Sequence, residues 1–228
     1  RAIFYFFWNY AIMFKICFLV KTNRKEKNMN YDLEMQNIIK NLQGKPKLLL
    51  HACCAPCSSY VLEALNDYFA ITIYFYNPNM NNLEEYNKRF DQFSKLLKGM
   101  NLDIEVIKPL YDNREYLEIA KPFKNEKEGG LRCHECYYLR LEKTALYAKE
   151  NNYDYFATTL TVSPYKNAKL INEMGLSLME KIGINYLPSD FKKRNGYKRS
   201  IELSKEFDLY RQVFCGCIYS KVAESSDL

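Results

Sequence analysis

Cysteine is the residue type whose spacing in this sequence most strongly suggests chemistry. Seven of the eight cysteines fall in three tight groups: Cys53, Cys54 and Cys57, then Cys133 and Cys136, then Cys215 and Cys217. The first two groups each contain a Cys-x-x-Cys pair. Together the pairs offer the four thiolates that a [4Fe–4S] cluster or a tetrahedral zinc ion requires. The sequence therefore predicts a metal centre, with an iron–sulfur cluster preferred over zinc.

Both Cys-x-x-Cys pairs lie where a helix is expected to begin. The positive end of the helix dipole lowers the pKa of a thiol there and favours the metal-binding thiolate. Cys57 and Cys133 are 76 residues apart, which is wider than a zinc ribbon and predicts a tertiary site. The doubled Cys53–Cys54 leaves one extra thiolate for a second metal or an open catalytic position. Structural zinc, a thioredoxin-like motif and unrelated buried cysteines stay open as alternatives.

The third group, Cys215-Gly216-Cys217, is too closely spaced to bind one metal with ideal angles. A disulfide across a single residue closes a small, strained ring, and strained disulfides are the redox-active ones. We therefore interpret the pair as an electron relay or resolving pair. Additional metal ligation and the absence of any role are the alternatives.

The location of the cysteines and of the charge limits the class of protein. Tight cysteine groups without a convincing cleavable signal peptide indicate a reducing, cytoplasmic compartment, and the isolated Cys17 is expected to be inert. The net charge is +6, but residues 1–28 contain six cations against the single acid Glu26. Residues 29–228 therefore carry only +1, so any affinity for a polyanion must come from local patches.

Residues 1–28 form an atypical apolar and basic leader that we expect to lie outside the fold. Residues 2–20 are about long enough to cross a bilayer, but a basic stretch follows them instead of a small-residue cleavage site. Non-native upstream sequence, a membrane anchor and a buried helix are the three interpretations. The rest, residues 29–228, is expected to form a single domain without stable membrane association.

Strands alternate with helices along that domain. This pattern predicts an α/β fold of three layers, in which a mostly parallel sheet has helices on both faces, as in Rossmann-like and HUP-like proteins. The expected strands are 47–52, 70–76, 104–107, 155–160 and 185–187. The expected helices begin at 58 or span 83–97, 112–120, 133–150, 164–182 and 200–207. Ligands gather at the carboxyl ends of such strands, where Cys53 and Cys54 follow the first strand.

Two other segments are candidates for contact with a nucleic acid. One follows the fourth strand, where Lys166 and backbone N–H groups can meet an anion. The other has five cations within residues 192–199, and either phosphate contact or a plain solvated face explains it. The candidates are Ser163, Tyr165, Lys166, Asn167, Lys192, Lys193, Tyr197 and Arg199. The two histidines, His51 and His134, are expected to pack or to support other residues.

Four segments, in order, resemble the epoxyqueuosine reductase QueH family. They are HACCAPCS at 51–58, LRCHECYYLRLEKTA at 131–145, FATTLTVSPYKN at 156–167 and FKKRNGYKRSIELSKEFDLYRQVFCGCIYS at 191–220. The resemblance implies reduction of the epoxide of epoxyqueuosine at the tRNA wobble position to give queuosine. It also implies that a [4Fe–4S] cluster is held by Cys53, Cys54, Cys133 and Cys136.

By the same resemblance Cys215 and Cys217 are a redox-active disulfide, and Cys57 assists a possible additional mononuclear iron. Neither a corrinoid nor a known electron donor is implied. The chemistry agrees with the residues, because an iron can polarise the epoxide oxygen while a thiol pair relays electrons. A zinc-stabilised nucleic-acid-binding module and a cytosolic thiol oxidoreductase remain the alternative classes.

Overall fold

The central sheet has five strands, all parallel, in the order β3-β2-β1-β4-β5. The computed structural model describes residues 29–220, so the expectations for residues 1–28 and Cys17 lie outside the described residues. From Tyr31 onward the described residues belong to one compact unit. The strands are β1 Lys47–His51, β2 Ala70–Tyr74, β3 Val106–Ile107, β4 Tyr155–Thr158 and β5 Asn185–Tyr186.

Seven α-helices surround this sheet in the described part of the chain. They are α1 Tyr31–Lys40, α2 Ala55–Leu65, α3 Leu83–Gly99, α4 Arg114–Ala120, α5 Leu131–Glu150, α6 Ala168–Ile182 and α7 Gly196–Glu206. Leu48, Leu49 and Leu50 of β1 are fully buried, as expected for a parallel strand covered on both faces. Leu48 and Leu50 join one apolar core and Leu49 joins the other. The predicted three-layer α/β fold is confirmed.

Three errors in the predicted elements fall next to the site. Helix α2 begins at Ala55 rather than at residue 58, because Pro56 is well suited to a first helical turn. Strand β4 ends at Thr158 rather than at residue 160, and a 3-10 turn, Thr159–Val162, follows it. Pro164 does not open the next helix. Instead the Asn167 side chain caps α6 by accepting a hydrogen bond from the Leu170 N–H at 3.2 Å.

Strands β2 and β3 are each two residues shorter than predicted, and further differences lie toward the end of the chain. Helix α7 begins at Gly196, four residues earlier than expected, and no helix or strand is assigned from Leu209 to Cys217. Across residues 29–220, every helix is too short or too polar to span a bilayer.

Candidate metal centre

The first cysteine group lies at the carboxyl edge of the sheet, between β1 and α2. Cys53 follows the strand, Cys54 is the extended residue that precedes the helix, and Cys57 lies in its first turn. A strand that passes directly into a helix turns the chain sharply, so three side chains within five residues meet on one side. Their sulfur atoms all lie within 4.8 Å of one another.

These three sulfurs form a hydrogen-bonded cluster. The Cys53 and Cys54 sulfurs are 3.8 Å apart, and the Thr159 hydroxyl lies 3.7 Å from the Cys53 sulfur. Hydrogen bonds from the Cys54 and Cys57 thiols hold the pKa of Cys53 well below its usual value. The same bond to Cys53 raises the pKa of Cys54 to about 11. The lowered pKa of Cys53 favours its thiolate, which is the form of cysteine that binds a metal.

The second pair, Cys133 and Cys136, lies at the start of α5. The Cys133 sulfur accepts a hydrogen bond from the Gly129 N–H at 3.3 Å, and burial raises the pKa of Cys136 to about 12. Among the described residues, the group of sulfurs within 4.8 Å contains neither of them. Both Cys53 and Cys133 border the same apolar core, which brings the two groups to the same region.

Cys215 and Cys217 lie in an irregular loop that sequence reasoning could not position. All seven cysteines of the described residues are free thiols, so the predicted disulfide stays a prediction. The Tyr116 hydroxyl is 2.8 Å from the Cys217 sulfur. Arg89 donates hydrogen bonds to the backbone carbonyls of Cys215 at 3.1 Å and Phe214 at 3.3 Å.

Gly216 permits the backbone conformation of this loop. Its φ of +92° lies where residues with side chains are strained, and a Cβ atom there would meet the Arg89 guanidinium at 2.9 Å. The turn after β2 also contacts this loop. The Asn81 N–H donates to the Gly216 carbonyl at 3.0 Å, and the Asn79 amide lies 4.0 Å from the Cys215 sulfur.

A buried arginine lies between the three cysteine groups. Arg140, one turn after Cys136 on α5, is 2% exposed; burial disfavours its charge, but the Cys136, Cys215 and Cys53 sulfurs raise the pKa of Arg140 overall. Its guanidinium donates to the Asn77 side-chain oxygen at 3.1 Å. Sequence reasoning missed Arg140. The available signal was a cation next to the apolar stripe of α5 that continues from Tyr137.

The loop after β4 supplies a second cation. Lys166 is half-buried, and although burial disfavours its charge, the Cys215, Cys53 and Cys57 sulfurs raise the pKa of Lys166 overall. Its ammonium therefore stays charged beside the cysteines. Of its neighbours in the loop, Tyr165 is 79% exposed, whereas Ser163 accepts a hydrogen bond from the Tyr165 N–H at 3.3 Å.

The predicted basic segment divides into residues with different surroundings. Lys192 is paired with Asp190 at 3.1 Å and also donates to the Thr161 carbonyl, so it braces the loop after β4. Arg199 is paired with Glu63 of α2 at 2.8 Å. Other members are the exposed Lys193 and the half-buried Tyr197, over whose ring the Arg211 guanidinium lies at 5.3 Å.

The two histidines have supporting positions. His51 is buried in β1, where its ring nitrogens lie 2.8 Å from the Thr158 hydroxyl and 3.1 Å from the Tyr76 carbonyl. Burial lowers the pKa of His51 to about 3, so the ring is neutral and packs as predicted. His134 is half-buried in the first turn of α5.

Fold and site together define a thiol-rich α/β protein with a group of three cysteine sulfurs that could hold a metal ion at the carboxyl edge of a parallel sheet. Residues 48–223 match the family model described as epoxyqueuosine reductase QueH, and the chain belongs to that family.

Relatives of the same name agree along most of the chain. The protein from Staphylococcus epidermidis is 41% identical over 89% of both chains. The one from Streptococcus pyogenes is 40% identical over 92% of this chain and 85% of its own. The Thermotoga maritima protein is 34% identical over 76% of this chain and 89% of its own. The family resemblance stated from the four motifs is confirmed.

The fold is also shared with a solved structure. The U34-tRNA thiolase NcsA from Methanococcus maripaludis, solved with its [4Fe-4S] cluster, has a TM-score of 0.52 and covers 86% of this chain and 71% of its own. At 13% identity this similarity concerns the fold alone.

Proposed function

We propose that this protein reduces epoxyqueuosine in the tRNA anticodon loop to queuosine in the cytoplasm. The observation that carries the proposal is the convergence of the Cys53, Cys54 and Cys57 sulfurs within 4.8 Å, at the ligand-binding edge of the sheet in a chain of the QueH family. The reaction adds two electrons and two protons. Both carbon–oxygen bonds of the epoxide break, an alkene forms, and the oxygen leaves as water.

The donor set fits an iron–sulfur group, because thiolates are the ligands that hold such clusters. We assign Cys53, Cys54, Cys133 and Cys136 to a [4Fe–4S] cluster, which leaves Cys57 for an additional mononuclear iron. When bound, these groups pass single electrons and polarise an oxygen atom as a Lewis acid. No corrinoid has a part in the proposed reaction.

The protein's own groups balance the electrons and protons. Oxidation of the Cys215 and Cys217 thiols to a disulfide releases two electrons and two protons, which is what one epoxide consumes. Lys166 remains charged beside the cysteines and can hold a proton toward the departing oxygen. An external donor, still to be identified, must then reduce the disulfide before the next turnover.

The tRNA would approach the loop after β4 and the start of α7. Tyr165 is exposed there and can stack on an unpaired base, which is how proteins usually grip single-stranded loops. Lys193 is exposed and suited to a phosphate, whereas Lys192 and Arg199 already have carboxylate partners. Ser163, Asn167 and Tyr197 complete the candidate surface.

The alternative of a zinc-stabilised module has one observation in its favour. Two thiolates on one zinc lie no more than ~4.6 Å apart, since each Zn–S bond is about 2.3 Å. The 3.8 Å between the Cys53 and Cys54 sulfurs satisfies that limit. Metal analysis of protein prepared without oxygen therefore has to accompany the activity assay.

The test combines both measurements on the full chain. We expect anaerobically prepared protein to contain iron and sulfide, and to convert epoxyqueuosine in tRNA to queuosine with a chemical reductant and no added cobalamin. Nucleoside mass spectrometry follows the product. Cys133→Ser should lose iron, whereas the matched control Cys17→Ser should keep it. Iron-replete protein that forms no queuosine would overturn the proposal, and stoichiometric zinc without iron would support the binding module.

A further inference from the structure

Three arginines are buried among the described residues, and two of them, Arg132 and Arg140, lack a carboxylate partner and keep one buried nitrogen without a hydrogen bond. Arg89 forms an ion pair with Glu85 at 2.6 Å. Arg132 donates to backbone carbonyls of the preceding loop, including that of Lys124 at 3.2 Å. Arg140 has no carboxylate within 4.0 Å in the described part of the chain. Burying a charge without compensation is costly, so Arg140 needs a negative partner.

The hydrogen bonds of Arg140 leave part of its guanidinium unused. Its Nε donates to the Cys136 carbonyl at 3.4 Å and one terminal nitrogen donates to Asn77 at 3.1 Å. The other terminal nitrogen is buried and has no hydrogen-bond partner. A buried donor without a partner calls for an explanation, and a negatively charged group held by the nearby cysteines would supply one.

The surroundings of Arg140 identify that group by its chemistry. The residues with the strongest electrostatic effect on the Arg140 charge are Cys136, Cys215 and Cys53, one from each of the three cysteine groups. Asn77 also ties the arginine to the first group, because its amide donates to the carbonyl of Ala52, the residue before Cys53, at 2.9 Å. At 2% exposure, Arg140 cannot reach a tRNA phosphate in solvent.

We propose that Arg140 is the counter-charge of the thiolate–metal centre, a positioning residue that raises the reduction potential of the group the cysteines hold. A positive charge in a low-dielectric interior favours the more negative, reduced state of such a group. The inference rests on the proposed function in so far as that group is an iron–sulfur cluster.

The experiment measures the reduction potential of the iron–sulfur group in the loaded full-length protein by a redox titration followed by electron paramagnetic resonance. Arg140→Met removes the charge at similar volume. We expect at least a tenfold fall in the ratio of reduced to oxidised cluster at a fixed potential, equivalent to 59 mV for a one-electron couple. Arg140→Lys keeps the charge and should stay within threefold of the wild type.

Lys143→Met is the matched control, because it removes a cation from the same helix at a position that is 36% exposed and paired with Glu115. It should leave the potential within threefold of the wild type, since solvent screens the lost charge. An unchanged potential in Arg140→Met would overturn the inference. So would a shift in Arg140→Lys as large as tenfold, because that would assign the effect to the lost hydrogen bonds. If Arg140→Met does not fold, Arg140→Gln removes the charge while keeping a hydrogen-bonding side chain, and it should show the same fall of at least tenfold; an unchanged potential there would equally overturn the inference.

Urea unfolding provides an independent readout. Metal loading should raise the unfolding midpoint more in the wild type than in Arg140→Met, whereas a purely packing role predicts equal gains. Protein that forms queuosine but shows equal gains overturns the inference and leaves the proposed function intact. Protein that binds zinc and no iron overturns the proposed function instead. The inference then expects zinc to be retained more tightly by the wild type than by Arg140→Met.

Discussion

The first and third cysteine groups of this protein are held in place in different ways. Cys53, Cys54 and Cys57 lie within five residues at a strand-to-helix junction, and the local backbone alone brings their sulfurs within 4.8 Å. Cys215 and Cys217 lie in a loop without a helix or strand. That loop is held by groups more than a hundred residues away, from α3, α4 and the turn after β2.

The difference suits two kinds of chemistry. A metal centre needs ligands whose positions stay constant, and regular elements provide them. A redox pair must bring its sulfurs together in one state and separate them in the other. A loop held by side-chain hydrogen bonds can make that change, because such bonds contribute only about 0.5–1.5 kcal/mol each. The comparison predicts that metal binding and electron transfer can be lost separately.

Replacing one cysteine in each region should give the largest effects. We expect Cys53→Ser to remove most of the iron, because the cysteine that holds the thiolate is lost. Cys215→Ser should keep the iron content of the wild type and stop repeated turnover. Iron and sulfide assays, followed by queuosine formation over many turnovers, measure both quantities.

Cys57→Ser sharpens this comparison within the first group. It should retain the cluster and lose at most one iron per chain, because Cys57 is assigned to the additional iron. Loss of the whole cluster in Cys57→Ser would instead show that the three neighbouring sulfurs act as one ligand set. Loss of iron in Cys215→Ser would show that the two regions are a single metal site.

Gly216→Ala tests whether the loop depends on its backbone conformation. At a φ of +92° a non-glycine residue costs about 1–3 kcal/mol, and the new Cβ would also press on the buried Arg89. We expect the free energy of unfolding to fall by more than in Gly44→Ala, where φ is +71° and no atom lies within 4 Å. Equal losses in urea titrations would mean that the Arg89 contact contributes nothing.

Tyr116→Phe removes one hydrogen bond from the reduced form of the loop. The Tyr116 hydroxyl lies 2.8 Å from the Cys217 sulfur, and burial raises the pKa of Tyr116 so that it remains a donor. Losing about 1 kcal/mol from the dithiol should lower the reduction potential of the Cys215–Cys217 pair by ~20 mV. Equilibration with a thiol buffer and mass spectrometry measures it. A higher potential would contradict the assigned role.

Local patterns predicted the fold and the first cysteine group but not the tertiary environment of the site. Short apolar runs such as Leu48–Leu50 and turns such as the one at Pro56 are determined by a few neighbouring residues. The strands of a parallel sheet could therefore be predicted from the sequence. Arg140 could not be assigned, because its meaning depends on Asn77 and on cysteines from two other segments. Arg89 could not be assigned either, because its contact with the Cys215 carbonyl joins residues more than a hundred positions apart.

The basic segment at residues 192–199 also depends on tertiary contacts that the sequence does not reveal. Its density of charge left phosphate contact and a plain solvated face both open, and Arg199 is paired with Glu63 from a helix more than a hundred residues away. Side-chain pairing of this kind is set by helix packing, which residue spacing does not reveal. The role of these cations in tRNA binding is therefore still a proposal.

The smallest expected effect concerns Thr159, the hydroxyl nearest to Cys53. The Thr159 hydroxyl accepts a long hydrogen bond of 3.4 Å from the Cys53 N–H and lies 3.7 Å from its sulfur. Bonds of that length are weak, and the junction between β1 and α2 already holds the cysteine. Thr159→Val should therefore cost about 0.5–1 kcal/mol in urea unfolding and leave the iron content unchanged.

Thr161→Val is the matched control for this variant, because it makes the same substitution in the same 3-10 turn. The Thr161 hydroxyl bonds the Ser189 hydroxyl at 3.1 Å and has no bond to a cysteine. Similar losses of stability and equal iron in the two variants would agree with a first cysteine group that local backbone maintains. If Thr159→Val lost iron and Thr161→Val did not, Cys53 would depend on a tertiary contact, as Cys217 does. The contrast between the two regions would then be one of degree, because both would be held by hydroxyl groups from distant segments.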